Sequence, residues 1–145
     1  MPTFRHGKSA RFELDSAAGS LVNISDVIED ISFSQSLETA ETTTMGNSAK
    51  TYITGLSDAT ISVSGKFDAT VDAQINAIQA GLADGTITSS SWTYRANSGA
   101  IATSNPEYQG EALITSYEVS ASVGDVVTFS LELQVTGAIT RDTTA

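Results

Sequence analysis

Apolar and polar residues alternate with a period of two along much of the chain, the signature of strands with one buried face. In Asp30–Leu37 the apolar set is Ile31 and Phe33, against Ser32, Ser34 and Ser36. In Ala59–Phe67 it is Ile61, Val63 and Phe67, against Thr60, Ser62, Ser64 and Lys66. Ile114–Ser120 sets Tyr117 and Val119 against Ser116, Glu118 and Ser120. Val126–Thr136 keeps the alternation longest, with Val127, Phe129, Leu131, Leu133 and Val135 against Thr128, Ser130, Glu132, Gln134 and Thr136. Shorter strands are expected at Ala10–Asp15, Leu21–Ile24, Lys50–Thr54 and Trp92–Arg95.

One stretch changes period. Val71, Ile75, Ile78 and Leu82 share one helical face, which predicts a helix over residues 70–82 packed across a sheet. Asp68 or Thr70 can cap its start, and Gly81 or Gly85 can end it. Turns are expected at Ala17–Ser20 and Ser122–Asp125. Asn97–Tyr108 reads as a loose connection, Glu38–Lys50 as a long inter-strand loop, residues 1–10 as an N-terminal arm and residues 141–145 as a short tail. No repeat and no linker interrupts the 145 residues, so a single domain is expected.

Composition narrows the chemistry. There is no cysteine, which excludes disulfides, thiol catalysis and cysteine-ligated metals, and the single histidine is His6. Seven basic against 17 acidic side chains give a net charge of −10, which does not invite a phosphate backbone. No apolar run reaches the roughly 18 residues of a membrane helix, and the first 20 residues lack the apolar core of a signal peptide. A soluble product made in a cytoplasm, without a membrane partner, is the expectation.

Catalytic motifs fail one by one. Gly7-Lys8-Ser9 lacks the upstream glycine of a phosphate-binding loop. The Gly46–Lys50 segment lacks the second glycine and the strand-to-helix setting of a nucleophile elbow. Glu29 and Asp30 are adjacent and would point to opposite faces of a strand. Glu118 and Glu132 could share a face, but two acids on a wet sheet need a cleft to become a glycosidase pair. No catalytic residue, cofactor site or metal site is therefore assigned.

What stands out instead is a surface. Serine and threonine together supply 39 residues, and they occupy the polar side of every long strand. Such strands carry few of the charges that usually guard sheet edges, and unguarded edges invite pairing with another copy. Head-to-tail pairing closes into a ring when the rotation permits. From these residues a ring former and a monomeric β-sandwich binding module both remain open. The second should show clustered exposed aromatics, for which Trp92, Tyr94 and Tyr108 are the candidates.

Three segments resemble a known family: Ala10–Ser34, Ser36–Asp68 and Tyr108–Thr140. The most characteristic strings are Glu41-Thr42-Thr43-Thr44 through Gly46, Ala49-Lys50-Thr51-Tyr52 and Gly55-Leu56, with Tyr117-Glu118-Val119 and Val123–Phe129 nearer the end. Their number and order are similar to the major tail tube proteins of long-tailed phages with non-contractile tails, and in architecture to the inner tubes of contractile injection machines. The resemblance implies a mainly-β fold: a β-sandwich of two sheets with one flanking helix. It implies homohexameric rings whose inner sheets join into a continuous barrel, stacked into a hollow tail through which DNA leaves. The implied partners are further copies of the chain, a tape-measure protein, a tail terminator and distal tail proteins. The implied location is the virion, after assembly in the host cytoplasm.

Joined to the surface argument, this gives candidate positions. The expected lumen-facing residues are Ser32, Ser34, Ser36, Thr60, Ser62, Ser64, Glu118, Ser130, Glu132 and Gln134, which would hydrate the wall without binding the DNA that passes. Lys66 departs from that pattern and is expected to pair with Glu132 or Glu118, or to sit at the rim. Glu41, Thr42, Thr43, Thr44, Met45, Gly46 and Lys50 match the loop that in the family reaches the neighbouring ring, and their polar composition suits a segment ordered on stacking. Arg5, Lys8 and Arg11 concentrate positive charge near the N-terminus, suited either to strapping onto an acidic neighbour or to a solvated tail.

Overall fold

The structure, a computed structural model, describes residues 7–16 and 19–144. Its strands are β1 (Arg11–Asp15), β2 (Leu21–Asn23), β3 (Ile28–Glu41), β4 (Tyr52–Lys66), β5 (Ser90–Arg95), β6 (Glu107–Ser120) and β7 (Thr128–Asp142). One helix, α1 (Ala69–Asp84), separates β4 from β5. The mainly-β expectation with one helix holds. The expected pair of sheets does not: all seven strands bond into one antiparallel sheet, in the order β2-β1-β5-β6-β7-β4-β3.

The reason lies in the two long strands at the centre. β6 pairs with β5 only through Glu107–Ala112, and β7 pairs with β4 only through Thr128–Gln134. Register shifts interrupt the β6–β7 ladder once within each of these regions, at Gln109/Glu111 and at Ile114/Ser116, and such irregularities bend and twist a strand. The sheet therefore folds over on itself. Phe33, on edge strand β3, reaches back to Trp92 of β5 and Tyr108 of β6, with ring centroids 5.3 and 5.5 Å apart. What the alternation suggests as two sheets is one sheet whose halves face each other.

Between the halves lies the core, built from the apolar sets of the alternating strands: Phe12, Leu14, Ile61, Val63, Trp92, Leu131 and Leu133 are all buried. Trp92 stands opposite Gly110, where a Cβ would approach the indole to 3.2 Å, so the small residue leaves room for the large one. The helix closes the core with Val71, Ile75 and Ile78. It runs slightly beyond the expected residues 70–82. Asp68 caps it by accepting from the Val71 N–H, and Gly85 ends it at φ 85°. Gln74 of the helix donates to the carbonyls of Leu14 and Asp15, and the Tyr117 hydroxyl donates to Asp72 Oδ1 at 2.7 Å. Burial, and then this bond, hold the Tyr117 hydroxyl well above its ordinary pKa.

Several boundaries differ from the sequence expectation. Glu38–Glu41 belong to β3 rather than to a loop, and Lys50–Thr54 is not a separate strand, since Tyr52–Thr54 open the 15-residue β4. A β3–β4 hairpin forms because Thr39, Ala40 and Glu41 pair with Thr54, Ile53 and Tyr52. Its polar, unalternating sequence hides strands that are exposed on both faces. Arg141 and Asp142 extend β7, so the tail is shorter than expected. The connection before β6 is anchored: the buried Asn105 side chain donates to the carbonyls of Asn97, Gly99 and Ala100.

Two glycines make a paired test of packing. A Cβ on Gly65 would sit 2.0 Å from the Val27 carbonyl oxygen, so the backbone must move, whereas on Gly81 it would meet the flexible end of Ile87 at 2.4 Å. Gly65→Ala should cost about 2 kcal/mol or more and Gly81→Ala clearly less, measured by urea denaturation. Tyr117→Phe should cost about 0.5–1 kcal/mol near neutral pH. Because the folded-state pKa is raised, the wild type loses stability as pH rises above about 10, where the unfolded chain releases its proton. The Phe variant should show a flatter decline there.

Candidate functional site: the hydroxyl face and the hairpin

Four strand segments form one half of the folded sheet: Ile28–Leu37 of β3, Thr60–Lys66 of β4, Thr128–Gln134 of β7 and Ile114–Ser120 of β6. Their register lines up side chains row by row. Ile31, Val63, Leu131 and Tyr117 form one inward row, and Phe33, Ile61, Leu133 and Ile114 form the next. The rows between them point the other way because successive side chains alternate. One contains Ser32, Ser62, Glu132 and Ser116; another contains Asp30, Ser64, Ser130 and Glu118; a third contains Ser34, Thr60 and Gln134.

All ten residues expected on the hydroxyl surface are thus brought to one face, with Ser36 opposite Asp58 at its upper margin. Asp30, Asp58 and Ser116 also belong to it. The period-two alternation carries both Ser116 and Asp30, which stands two residues before Ser32 in unbroken register. Gln134 donates to Asp58 Oδ1 at 2.5 Å and to the Ala59 carbonyl at 3.1 Å, and Ser120 donates to Glu118 at 3.2 Å. Lys66 shares this face but is held by Glu29, 2.9 Å away, not by Glu118 or Glu132. Glu29 wins because its edge-strand position sits beside the end of β4.

This half-sheet has two free edges. On one side lies β3, the last strand in the order. On the other lies Ile114–Ser120 of β6, which extends past its pairing with β5.

The expected inter-ring residues sit at the end of the β3–β4 hairpin. Glu41 is its last β3 residue, and Thr42–Thr51 form the turn. The turn is braced from within. Thr42 N–H donates to the Thr51 carbonyl at 2.8 Å, Thr51 N–H to Thr43 Oγ1 at 2.9 Å, and Thr44 N–H to Asn47 Oδ1 at 2.7 Å. Met45, Gly46 and Lys50 are exposed at the tip.

Of the N-terminal candidates, Arg5 lies outside the described residues. Lys8 is in a short 3-10 turn, Gly7–Ser9. Arg11 belongs to β1 and pairs with Glu13 of its own chain at 3.2 Å, so it is not an arm residue. Arg95 is likewise matched internally, with Glu107 at 3.0 Å.

Chemically the surface is a wet wall. Among the described residues no group of three or more His, Cys, Asp or Glu is placed to hold a metal ion. A hydroxyl-lined sheet with open edges and a projecting hairpin is the surface of a structural protein. The family described as phage tail tube protein matches residues 28–141, and the chain belongs to it. It is a structural tail tube protein, a component of the virion tail. Solved structures share its fold. The tail of an empty gene transfer agent particle gives a TM-score of 0.77 at 21% identity, covering 96% of this chain and 99% of that one. The SPP1 tail tube gives 0.71 at 18% identity, covering 97% and 81%. The anti-feeding prophage baseplate gives 0.71 at 12% identity, covering 99% and 98%. No curated protein matches the chain by sequence.

Proposed function

We propose that six copies close into a ring whose channel is lined by the hydroxyl face, and that rings stack into a conduit through which DNA leaves the particle. The observation that carries this reading is the four-stranded half-sheet, with its polar rows in register and both edges open. Four is an even number, so the antiparallel alternation continues across each junction when the free edge of β6 in one copy meets β3 in the next. The gene transfer agent tail has C6 symmetry; six copies here would give a barrel of about 24 strands. At about 4.8 Å between strands, its backbone diameter is about 37 Å with upright strands and about 48 Å with strands tilted by about 40°. Either leaves a channel wider than a DNA duplex.

The wall suits passage rather than binding. Six copies at −10 each bring −60 per ring. Hydroxyls hydrate the surface without holding phosphates, while Asp30, Glu118 and Glu132 repel them within a Debye length of about 8 Å. This centres the DNA and does not propel it. The role is non-catalytic, and no cofactor enters. The hairpin tip, Glu41–Lys50, contacts the neighbouring ring, and Lys8, with Arg5, lends positive charge to a strap on an acidic neighbour. A tape-measure protein, a tail terminator and distal tail proteins complete the assembly. The likeness to contractile injection systems supports a second reading, an inner tube within a sheath; micrographs of particles would show that outer layer.

A helical cryo-EM map of tubes grown from the purified chain tests the proposal. Ser62, Ser130 and Glu132 should face the channel, and finding Ile61 and Leu131 there would reverse the wall. Deleting Thr42–Gly46 should leave a folded protein, by circular dichroism, that forms no long tubes; tubes of normal length would remove the tip from the stacking contact.

A further inference from the structure

Beyond Gln134 the sheet forks. Strands β4 and β7 pair as far as Thr60 and Gln134; past that rung β4 continues beside β3 alone, and β7 beside β6 alone. The Gln134 side chain closes the crotch, donating to the carbonyls of Ala59 and Val135 at 3.1 and 3.4 Å. Between the two branches the folded sheet opens into a cleft of about 670 Å³, a volume within the range of small-molecule sites.

Register decides which side chains face into it. On β3 and β4 the inward set of Phe33 and Ile61 continues as Gln35, Leu37 and Ala59. On the other branch Val135 and Ile139 pack against the core. One residue breaks this pattern. Phe12, Tyr94, Tyr108 and Arg141 stand opposite one another across four strands, so an arginine occupies a core-facing row. Strand β7 carries Gly137–Ile139 opposite Gly110 alone, with Gly137 at φ 80°, and this bulge keeps Arg141 on the same side as Val135. Arg11, Lys66 and Arg95 each pair with a carboxylate of their own chain, but among the described residues no carboxylate lies within 4 Å of Arg141. Asp58 borders the cleft but belongs to the hydroxyl face, opposite Ser36, and its Oδ1 accepts from Gln134 and from the Ala59 N–H.

We propose that this cleft binds a small carboxylate with an apolar tail, in chemical class a medium-chain fatty acid. The Arg141 guanidinium donates to the carboxylate, the Gln35 amide adds a further N–H, and the tail lies on Leu37, Val135 and Ile139. Charge complementarity selects the head, and the apolar wall selects the body. A neutral lipid leaves the guanidinium without a partner, and inorganic phosphate leaves the wall in water. Every lining residue belongs to one chain, so the site exists in the free subunit before any ring closes and does not rest on the tube reading.

Equilibrium dialysis of the purified chain against labelled octanoate, below the concentration at which tubes form, tests the site. Saturable binding at one site per chain is expected. Arg141→Gln should weaken it on the order of tenfold with an unchanged circular dichroism spectrum. Leu37→Ser, at a side chain that is 54% exposed, should weaken it severalfold without unfolding the chain. 1-Octanol, with the same tail and no charge, should bind on the order of tenfold more weakly than octanoate. Absence of saturable binding, an R141Q chain that holds octanoate as the wild type does, or octanol or inorganic phosphate binding as tightly as octanoate would each overturn the site and leave the tube reading standing.

Discussion

The structure depends on one constraint: the register that joins β3, β4, β7 and β6. Side chains alternate strictly between faces, so a slip of one residue anywhere in this ladder would turn Phe33, Ile61 and Leu133 toward water and bring Ser34, Thr60 and Gln134 into the core. Burial of the apolar rows therefore fixes the polar rows without any polar residue having to specify them. The wet wall is what the core leaves on the other side.

The bend in the sheet gives that wall its shape. The six residues of β5 cover only Glu107–Ala112 of β6, so the rest of that strand keeps its free edge. The register shifts near Gln109/Glu111 and Ile114/Ser116 turn the two halves apart, and the aromatic contact of Phe33 with Trp92 and Tyr108 seals them face to face. One chain thereby presents a four-stranded unit with two open edges, something a flat seven-stranded sheet would not offer. Helix α1 fills the remaining side, tied by Tyr117 to Asp72 and by Gln74 to the end of β1.

An isolated chain of this kind is incomplete as a surface. Its lateral edges are unpaired, and both ends of its half-sheet carry apolar side chains in water. Each feature would be a liability in a monomer. In the ring we propose, the free edges of β3 and β6 meet through backbone hydrogen bonds. The −10 charge of each copy opposes such association.

The alternation of Ile31–Phe33, Ile61–Val63 and Phe129–Val135 with serine and threonine determined the strands, the buried set and the polar face, because period-two burial is a local property of extended backbone. The helical spacing of Val71, Ile75 and Ile78 determined α1 in the same way. The end of β3 at Glu38–Glu41 was not legible, since a strand exposed on both faces leaves no alternation to read, and Tyr52–Thr54, expected as a short strand, was not legible as the start of β4. Nor was the partner of Lys66, which depends on where the edge strand ends. Whether the strands make one sheet or two was decided only in three dimensions. It turns on register shifts in a ladder between residues far apart in the chain, and no periodicity within a single strand encodes them.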